Sequence, residues 1–513
     1  MILTGTVAAA LLVATLLCST AVGTTTAHAA AIGWNHTECT TWVTAQKSTS
    51  WHYLLANLSP PGTKTGCVVA AQSKKDPDYW YYWTRDGALV MDVLVHEYAT
   101  AHDPATIQRM EKALWDYVEF NTAIQLVKNR SVSPRDPLGL GEPKFNVDGT
   151  AFKGSWGRPQ HDGPALRAST VMRFACAYLR RGGSVERLYR AVLPADTLVK
   201  RDLEMVSHNL GTANFDLWEE VRGEHLYTNL VQRRALIEGA HFAQFFNDSG
   251  AAQWYHMRAE DLTSTIDHYW NAARGYFGAT RNVVGGHRYK SSNLDVAVIL
   301  AALHTRGDHT DGVLAVDDDR VLATVAALAD HHRRVFAINH RVRPDLPPAI
   351  GRYEEDQFMG GNPWFLCTLS MAELHFRVAV RIARDGFVII TSRSVAFFAA
   401  LPTAPLAGFG PGTVKKSDEQ FAAILEGLLE RGDGYLVRAR VHMGEGGRMD
   451  EQIDRWTGKM RSAKDLTWSY AAFITAANAR DEARAAVRVV ESHGVADDVE
   501  GEGRRVWSFA RQE

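Results

Sequence analysis

Two carboxylates stand side by side at Glu219 and Glu220, inside the run Asp216-Leu217-Trp218-Glu219-Glu220-Val221. Adjacent like charges repel, and a carboxylate held against the rings of Phe215 and Trp218 loses hydration. Both effects raise a carboxyl pKa, so that one acid can keep its proton near neutral pH and donate it. A glycosidic bond is cleaved by such a donor acting with a second carboxylate. A solvated acidic turn with Trp218 packed inward explains the motif alone equally well.

Other clusters carry matching chemistry. Tyr79-Trp80-Tyr81-Tyr82-Trp83-Thr84-Arg85-Asp86 puts five aromatic residues before an Arg-Asp pair. Aromatic faces stack on the C–H faces of sugars, and Arg and Asp hydrogen-bond vicinal hydroxyls. A buried aromatic wall with a structural ion pair is the plainer reading. Gly139–Asn146 is followed by Ser155–Pro164, where glycines permit close backbone approach and Trp156 is a candidate sugar platform. Ile350–Asp356 leads to Gly361-Asn362-Pro363-Trp364, and Arg448–Gln452 leads to Lys464–Tyr470. Glu451 activates water if it faces the acid across a pocket; as an isolated segment it reads as a helix-capping carboxylate. No His, Cys or carboxylate spacing suggests a metal, and no cofactor is expected.

The elements that must position these residues read as helices. Apolar residues three and four apart predict helices over about 40–58, 86–102, 104–122, 163–181, 185–208, 228–247, 257–271, 293–305, 317–334, 363–384, 418–431 and 465–479, with one more from Asp481 before a charged tail. Strand signals are confined to Val283-Val284 and Leu436–His442. Six times a polar and aromatic cluster precedes an apolar helix: 79–86, 156–162, 216–220, 289–295, 352–364 and 449–465. One further helix falls between successive clusters. That alternation predicts an inner and an outer ring, with the loops entering the inner helices gathered at one end. Helix N-termini would turn unpaired N–H groups and a positive dipole toward that end.

The chain of 513 residues has 46% hydrophobic residues, ample for a core, and a net charge of −2, which provides no overall attraction for nucleic acid or anionic membrane. Residues 1–30 carry a short apolar stretch ending in Ala27-His28-Ala29, the pattern of a secretory signal peptide despite the lack of Lys or Arg at its start. Residues 31–513 are expected to form one domain, a monomer free of the membrane once the signal is removed, located outside the cell, in the wall or in a vacuole. Cys39 and Cys67 flank the first predicted helix, where a disulfide could close; Cys176 and Cys367 are expected as buried thiols. Asn35, Asn57, Asn129 and Asn247 begin glycosylation sequons.

These residues resemble one family closely, the family 15 glycoside hydrolases, the fungal-type glucoamylases. The resemblance runs from about Tyr79 to Ala479 on Trp83–Asp86, Gly139–Thr150, Gly154–Ala168, Asp216–Val221, Gly361–Leu369, Asp450–Gln452 and Asp465–Ala472. It implies an all-α, (α/α)6 barrel of about twelve helices. It also implies exo-hydrolysis of α-1,4-glucans from the non-reducing end, releasing β-glucose by inversion. Position by position, Glu219 would be the general acid and Glu451 the base. Arg85, Asp86 and Arg352 would hold the terminal glucose, and Trp83, Trp156 and Trp364 would wall the pocket. Tyr79, Asp216 and Glu220 would support it, with Leu217 and Trp218 on the acid's own loop.

The chain departs from the family pattern in places. Arg222 replaces an Asn three residues after the acid, where a cation is expected to lower the acid's pKa. Phe358-Met359-Gly360 replaces Tyr-Tyr-Asn, and Ile453 replaces a Tyr. No C-terminal starch-binding module is apparent, so granular starch is expected to be a poor substrate. Two alternatives stay open at this point: the same barrel acting on trehalose or dextran, and a catalytically silent glucan-binding protein.

Overall fold

The computed structural model describes residues 36–492, apart from 306–312, 341, 343–345 and 405–407. The signal, Asn35 and the charged tail lie outside the described residues. Among the described residues thirteen helices account for the architecture: α1 (His36–Ala56), α2 (Thr84–Thr100), α3 (Pro104–Ile124), α4 (Asp162–Arg180), α5 (Leu198–His208), α6 (Leu226–Phe245), α7 (Ser249–Thr263), α8 (Ala297–His304), α9 (Asp319–Val335), α10 (Phe365–Asp385), α11 (Val395–Ala399), α12 (Glu419–Arg440) and α13 (Thr467–Ser492).

Six of them close a ring. Helix α2 packs on α4, α4 on α6, α6 on α8, α8 on α10, α10 on α13, and α13 returns to α2. Each of these six begins within or just after one of the six sequence clusters. Outside the ring, α1 lies on α13, α3 on α2, α5 against α4 and α6, α7 on α6, α9 on α8, and α12 against α10 and α13. This is the expected (α/α)6 barrel.

The sequence explains which helix goes where. The outer helix α3 buries one stripe, Met110, Leu114, Tyr117, Val118, Asn121 and Ile124, three and four residues apart. Asp103 caps it by accepting the Thr106 N–H at 2.8 Å, with Pro104 at its first position. The inner helix α4 is buried on every side from Asp162 to Ala175, as a helix covered by two neighbours and an outer layer must be.

Several boundaries differ from the sequence expectation. The helix expected over 185–208 is confined to Leu198–His208, because turns and Pro194 interrupt its first half. The helix expected over 257–271 runs over Ser249–Thr263, capped by Asp248. Leu436–His442 is not a strand: α12 continues to Arg440, and its Tyr435, Leu436, Val437 and Ala439 are buried in the core. Packing there outweighs the β-propensity of the segment. The segment from Asp481 extends α13 to Ser492 instead of starting a new helix.

Short ribbons decorate the ring: β1 (Tyr82–Trp83) with β2 (Lys144–Phe145), β3 (Asn214–Phe215) with β4 (Val221–His225) and β7 (Thr280–Gly286), β5 (Trp270–Asn271) with β6 (Tyr276–Phe277), β8 (Phe387–Ile390) with β9 (Gly412–Lys415), and β10 (Gln452–Ile453) with β11 (Met460–Arg461).

Cys39 and Cys67 are not joined to each other by a disulfide. Cys39 lies in the first turn of α1, within reach of the Arg480 charge, whereas Cys67 interacts with Tyr82. Burial pushes the Cys67 thiol up to about 12. Cys367 is buried as expected, while Cys176 is only partly so. Asn57 is buried and donates to Thr467 and the Asp465 carbonyl, so its sequon is sealed in the folded chain.

Candidate active site

A cavity of about 540 Å³ opens at the end of the barrel where the inner helices begin. Tyr79, Trp83, Arg85, Asp86, Trp156, Leu217, Trp218, Glu219, Glu220, Arg352, Trp364 and Glu451 all line it. Asp216 does not. It is buried behind the cavity, where its Oδ1 accepts the Glu220 and Val221 N–H groups at 2.8 and 2.9 Å.

Glu219 sits in the loop that joins β3 to β4. Asn214 pairs with Gly223 and Phe215 with Arg222, leaving Asp216–Glu220 as the connection between the strands. The chain turns by placing Glu219 at φ +69°, in the left-handed region. For a residue with a side chain this costs roughly 1–3 kcal/mol and persists only when neighbours over-determine it. The Glu219 N–H donates to the Asp216 carbonyl at 2.8 Å, and Asp216 N–H donates to Val221 O at 2.9 Å. A Cβ at Gly157 would fall 2.6 Å from the Glu219 carbonyl oxygen, so the loop carrying Trp156 must have glycine there to lie against the acid.

All three donors to the Glu219 carboxylate converge on one oxygen. Oε1 accepts from Trp83 Nε1 at 2.9 Å, Gln160 Nε2 at 3.1 Å and Arg85 Nη2 at 3.4 Å. Burial raises the pKa of this group, while the Arg85 and Lys144 cations and the Gln160 and Trp83 hydrogen bonds pull against that rise; the balance stays above the ordinary carboxyl value. Oε1 is thus fixed as an acceptor, and a proton on this carboxyl belongs on Oε2.

Lys144 was not singled out in the sequence. It faces Trp83 across the β1–β2 ribbon. Its ammonium lies 3.7 Å from the Trp156 ring centroid and 4.0–4.4 Å from those of Tyr81, Trp83 and Phe152. Burial lowers its pKa to about 8, against the opposing pull of Glu219. Arg85 is more occupied than expected of a residue reserved for sugar hydroxyls. Its Nη1 donates to Gln160 at 2.8 Å and to Asp162 at 3.0 Å. Burial raises Asp86 to about 6, with Arg85 opposing and the Glu219 charge reinforcing the rise.

Glu451 lines the same cavity, immediately before β10. The register pairs Gln452 with Arg461, and the Glu451 N–H donates to Ala463 O at 2.8 Å, which brings Ser462 alongside the carboxylate. Its Oε2 accepts from Gln452 Nε2 at 2.9 Å and from the Ser462 hydroxyl. The Tyr79 hydroxyl also hydrogen-bonds this carboxylate and lies within the field of Glu219. Burial pushes Glu451 up to about 7, with Ser462, Tyr79, Arg352 and Gln452 opposing. Gln452 and Ser462 are thus further site residues that the sequence reading passed over.

Glu220 points elsewhere. Its oxygens accept from Arg352 Nη2 at 2.7 Å and the Tyr353 hydroxyl at 2.5 Å. Asp356 takes two further N–H bonds from Arg352, at 2.8 and 2.5 Å, and neither carboxylate takes its Nη1. Trp364 and Trp218 stand 5.7 Å apart on this side, and Phe358 lines the mouth. Trp468 lines the cavity floor and also borders a second chamber of about 470 Å³ inside the helical ring.

Arg222 does not act on the acid as expected. In β4 the residues alternate, Val221 inward and Arg222 outward to solvent. The cations that bear on Glu219 are Arg85 and Lys144.

The model of the glycosyl hydrolases of family 15 matches residues 49–478. The chain is 37% identical over 448 residues to a glucoamylase of Blastobotrys adeninivorans, covering 84% of this chain and 70% of that one. It is 37% identical over 451 residues to glucoamylase 1 of Rhizopus oryzae, covering 87% and 72%. The structure superposes with a TM-score of 0.78 on the family 15 glucoamylase of Hypocrea jecorina, at 32% identity, covering 86% of this chain and 72% of that one. The same TM-score of 0.78 relates it to the glucoamylase of Saccharomycopsis fibuligera, at 29% identity and coverages of 88% and 97%.

Proposed function

The chain belongs to the glycosyl hydrolases of family 15, and from that premise we propose that Glu219 is its general acid and Glu451 its general base. The enzyme is a glucan 1,4-alpha-glucosidase, an exo-acting glucoamylase that hydrolyses starch-type chains. The terminal glucose of an α-glucan enters the cavity with its ring against Trp83, Trp156, Trp218 and Trp364. Arg85, Asp86 and Arg352 take its hydroxyls.

The observation that carries the role of Glu219 is the crowding of its donors. With Trp83, Gln160 and Arg85 all on Oε1, the carboxyl presents Oε2 as the proton-bearing atom. That proton passes to the glycosidic oxygen as the bond to the anomeric carbon breaks. Glu451 takes a proton from a water that attacks the anomeric carbon from the other face. Configuration is inverted and β-glucose leaves. Ser462, Gln452 and Tyr79, all neutral donors, stabilise the ionised form that a base requires. A carboxyl separation of roughly 6.5–9.5 Å, measured in a substrate-analogue complex, is expected for such a pair.

The direct test is glucose release from soluble starch with the anomer followed by NMR. Immediate appearance of β-glucose supports the assignment; α-glucose as first product removes Glu451 from the role of base. In Glu219→Gln, turnover of maltose should vanish while binding remains, and surviving hydrolysis would place the acid elsewhere. The apolar stretch within 1–30 supports secretion of the enzyme. Among the described residues no helix is long and apolar enough to cross a membrane.

A further inference from the structure

The loop of residues 289–295 is the one cluster of the six that holds none of the residues assigned to the acid, the base or sugar binding, and its Lys290 side chain is only 6% exposed. A buried ammonium is costly unless paired. Lys290 Nζ lies 2.5 Å from Asp295 Oδ2, 3.6 Å from Asp216 Oδ2, and 4.0 Å from the Tyr353 ring centroid. Each contact leads to one residue of the run Trp218-Glu219-Glu220.

Asp295 accepts the Trp218 indole N–H at 3.0 Å and the Ala297 N–H at 2.7 Å, tying the acid loop to the start of α8. Asp216 holds the Glu220 and Val221 N–H groups through Oδ1, while its buried Oδ2 has no hydrogen-bond donor and meets only the Lys290 charge. Tyr353, beneath the ammonium, donates to Glu220. Glu219 stands at the centre of this arrangement with φ +69°. A left-handed residue relaxes when its surroundings stop over-determining it.

Resting on the assignment of Glu219 as acid, we propose that Lys290 is a positioning residue for the acid loop: one buried cation, bridging Asp216 and Asp295 over Tyr353, holds Glu219 in its left-handed conformation. It touches no reacting atom. Burial works to raise the Asp216 carboxyl, and Lys290, with His225 and the Val221 and Glu220 N–H groups, outweighs it, keeping that carboxylate ionised and able to hold the turn. Without the ammonium, Asp216 and Asp295 become two buried acids with no cation between them. One takes up a proton, and the turn or the Trp218 anchor loosens.

Lys290→Met and Lys290→Arg are compared with wild type on maltose, each with its circular dichroism spectrum and melting curve, and Glu219→Gln is run in parallel. Displacement of a catalytic group by about 1 Å costs on the order of a hundredfold. K290M is accordingly expected to keep its helical spectrum, lose at least about thirtyfold in kcat and change KM by less than about threefold; K290R retains the charge and recovers most of the rate. A kcat of folded K290M within twofold of wild type overturns the proposal, as does a loss carried by KM alone. If K290M does not fold, K290R decides: near wild-type kcat supports the role, and a loss as deep as that expected of K290M overturns it. An active E219Q would instead remove the premise about the acid, whereas an inactive E219Q beside a normal K290M removes only the role of Lys290.

Discussion

The two carboxylates are both buried in one cavity, yet they are held in opposite ways. Around Glu219 the partners include cations, Arg85 and Lys144, and every hydrogen bond falls on Oε1. Around Glu451 the hydrogen-bond donors are neutral: the Ser462 and Tyr79 hydroxyls and the Gln452 amide. The acid's oxygens are made unequal, so its proton has one place to sit. When that proton is gone, Arg85 and Lys144 stabilise the anion left behind. The base is kept ionisable by hydroxyls and an amide, with the Arg352 charge assisting while its hydrogen bonds go to Glu220 and Asp356. Burial supplies the upward pKa shift at both sites, and the partners decide how far it goes.

The largest effect expected from breaking this arrangement is in Glu219→Gln, which retains the Oε1 acceptor and loses the proton. Maltose hydrolysis should fall by about a thousandfold or more, close to 4 kcal/mol in the barrier. Glu451→Gln should fall by roughly a hundred- to ten-thousandfold. Unlike the acid variant, it should be partly restored by azide, with β-glucosyl azide as the product to look for by NMR. Trp83→Phe removes one donor to Oε1 and keeps most of the ring; about a tenfold drop in kcat/KM would match one lost hydrogen bond to the transition state.

A subtler test uses pH. The base works only when ionised, so kcat/KM falls as pH drops through its pKa, which burial raises to about 7 in the empty site. The Ser462 hydrogen bond favours the ionised form. Ser462→Ala should therefore move the acidic limb upward by roughly half to one pH unit and leave the alkaline limb, set by the Glu219 proton, in place. A shift of the alkaline limb instead would mean the roles are exchanged. Smallest of all, Arg222→Asn should leave both limbs unmoved, because that guanidinium points to solvent from β4.

Much of this site was legible because its parts are contiguous in the chain. Each cluster is a loop that enters an inner helix, so aromatic and charged residues pressed together before an apolar stretch mark a turn of the ring. What stayed hidden depends on pairing. Ser462 is eleven residues from Glu451 and meets it only through the β10–β11 register. Lys144 joins its aromatic neighbours through another two-residue ribbon. Arg222 was misjudged because sequence proximity to the acid overlooks the alternation of a strand, in which neighbours face opposite ways. The overrun of α12 through Leu436–Val437 has the same origin: β-favouring residues remain helical when the core covers them. Asp216, expected to support the pocket, is set behind the cavity, with its carboxylate serving the backbone of its own turn.

Neither carboxylate belongs to the ring of helices. Glu219 rides on a loop between a two-residue and a five-residue strand, and Glu451 on the end of a two-residue strand. Ribbons this short open at a fraction of the free energy needed to melt interlocked helices. On heating, catalysis should therefore be lost reversibly at temperatures where far-ultraviolet circular dichroism still reports an intact barrel. The upper temperature of activity and the melting point would then be separate properties of this enzyme. Stitching the β3–β4 and β10–β11 ribbons would raise the first and leave the second almost untouched.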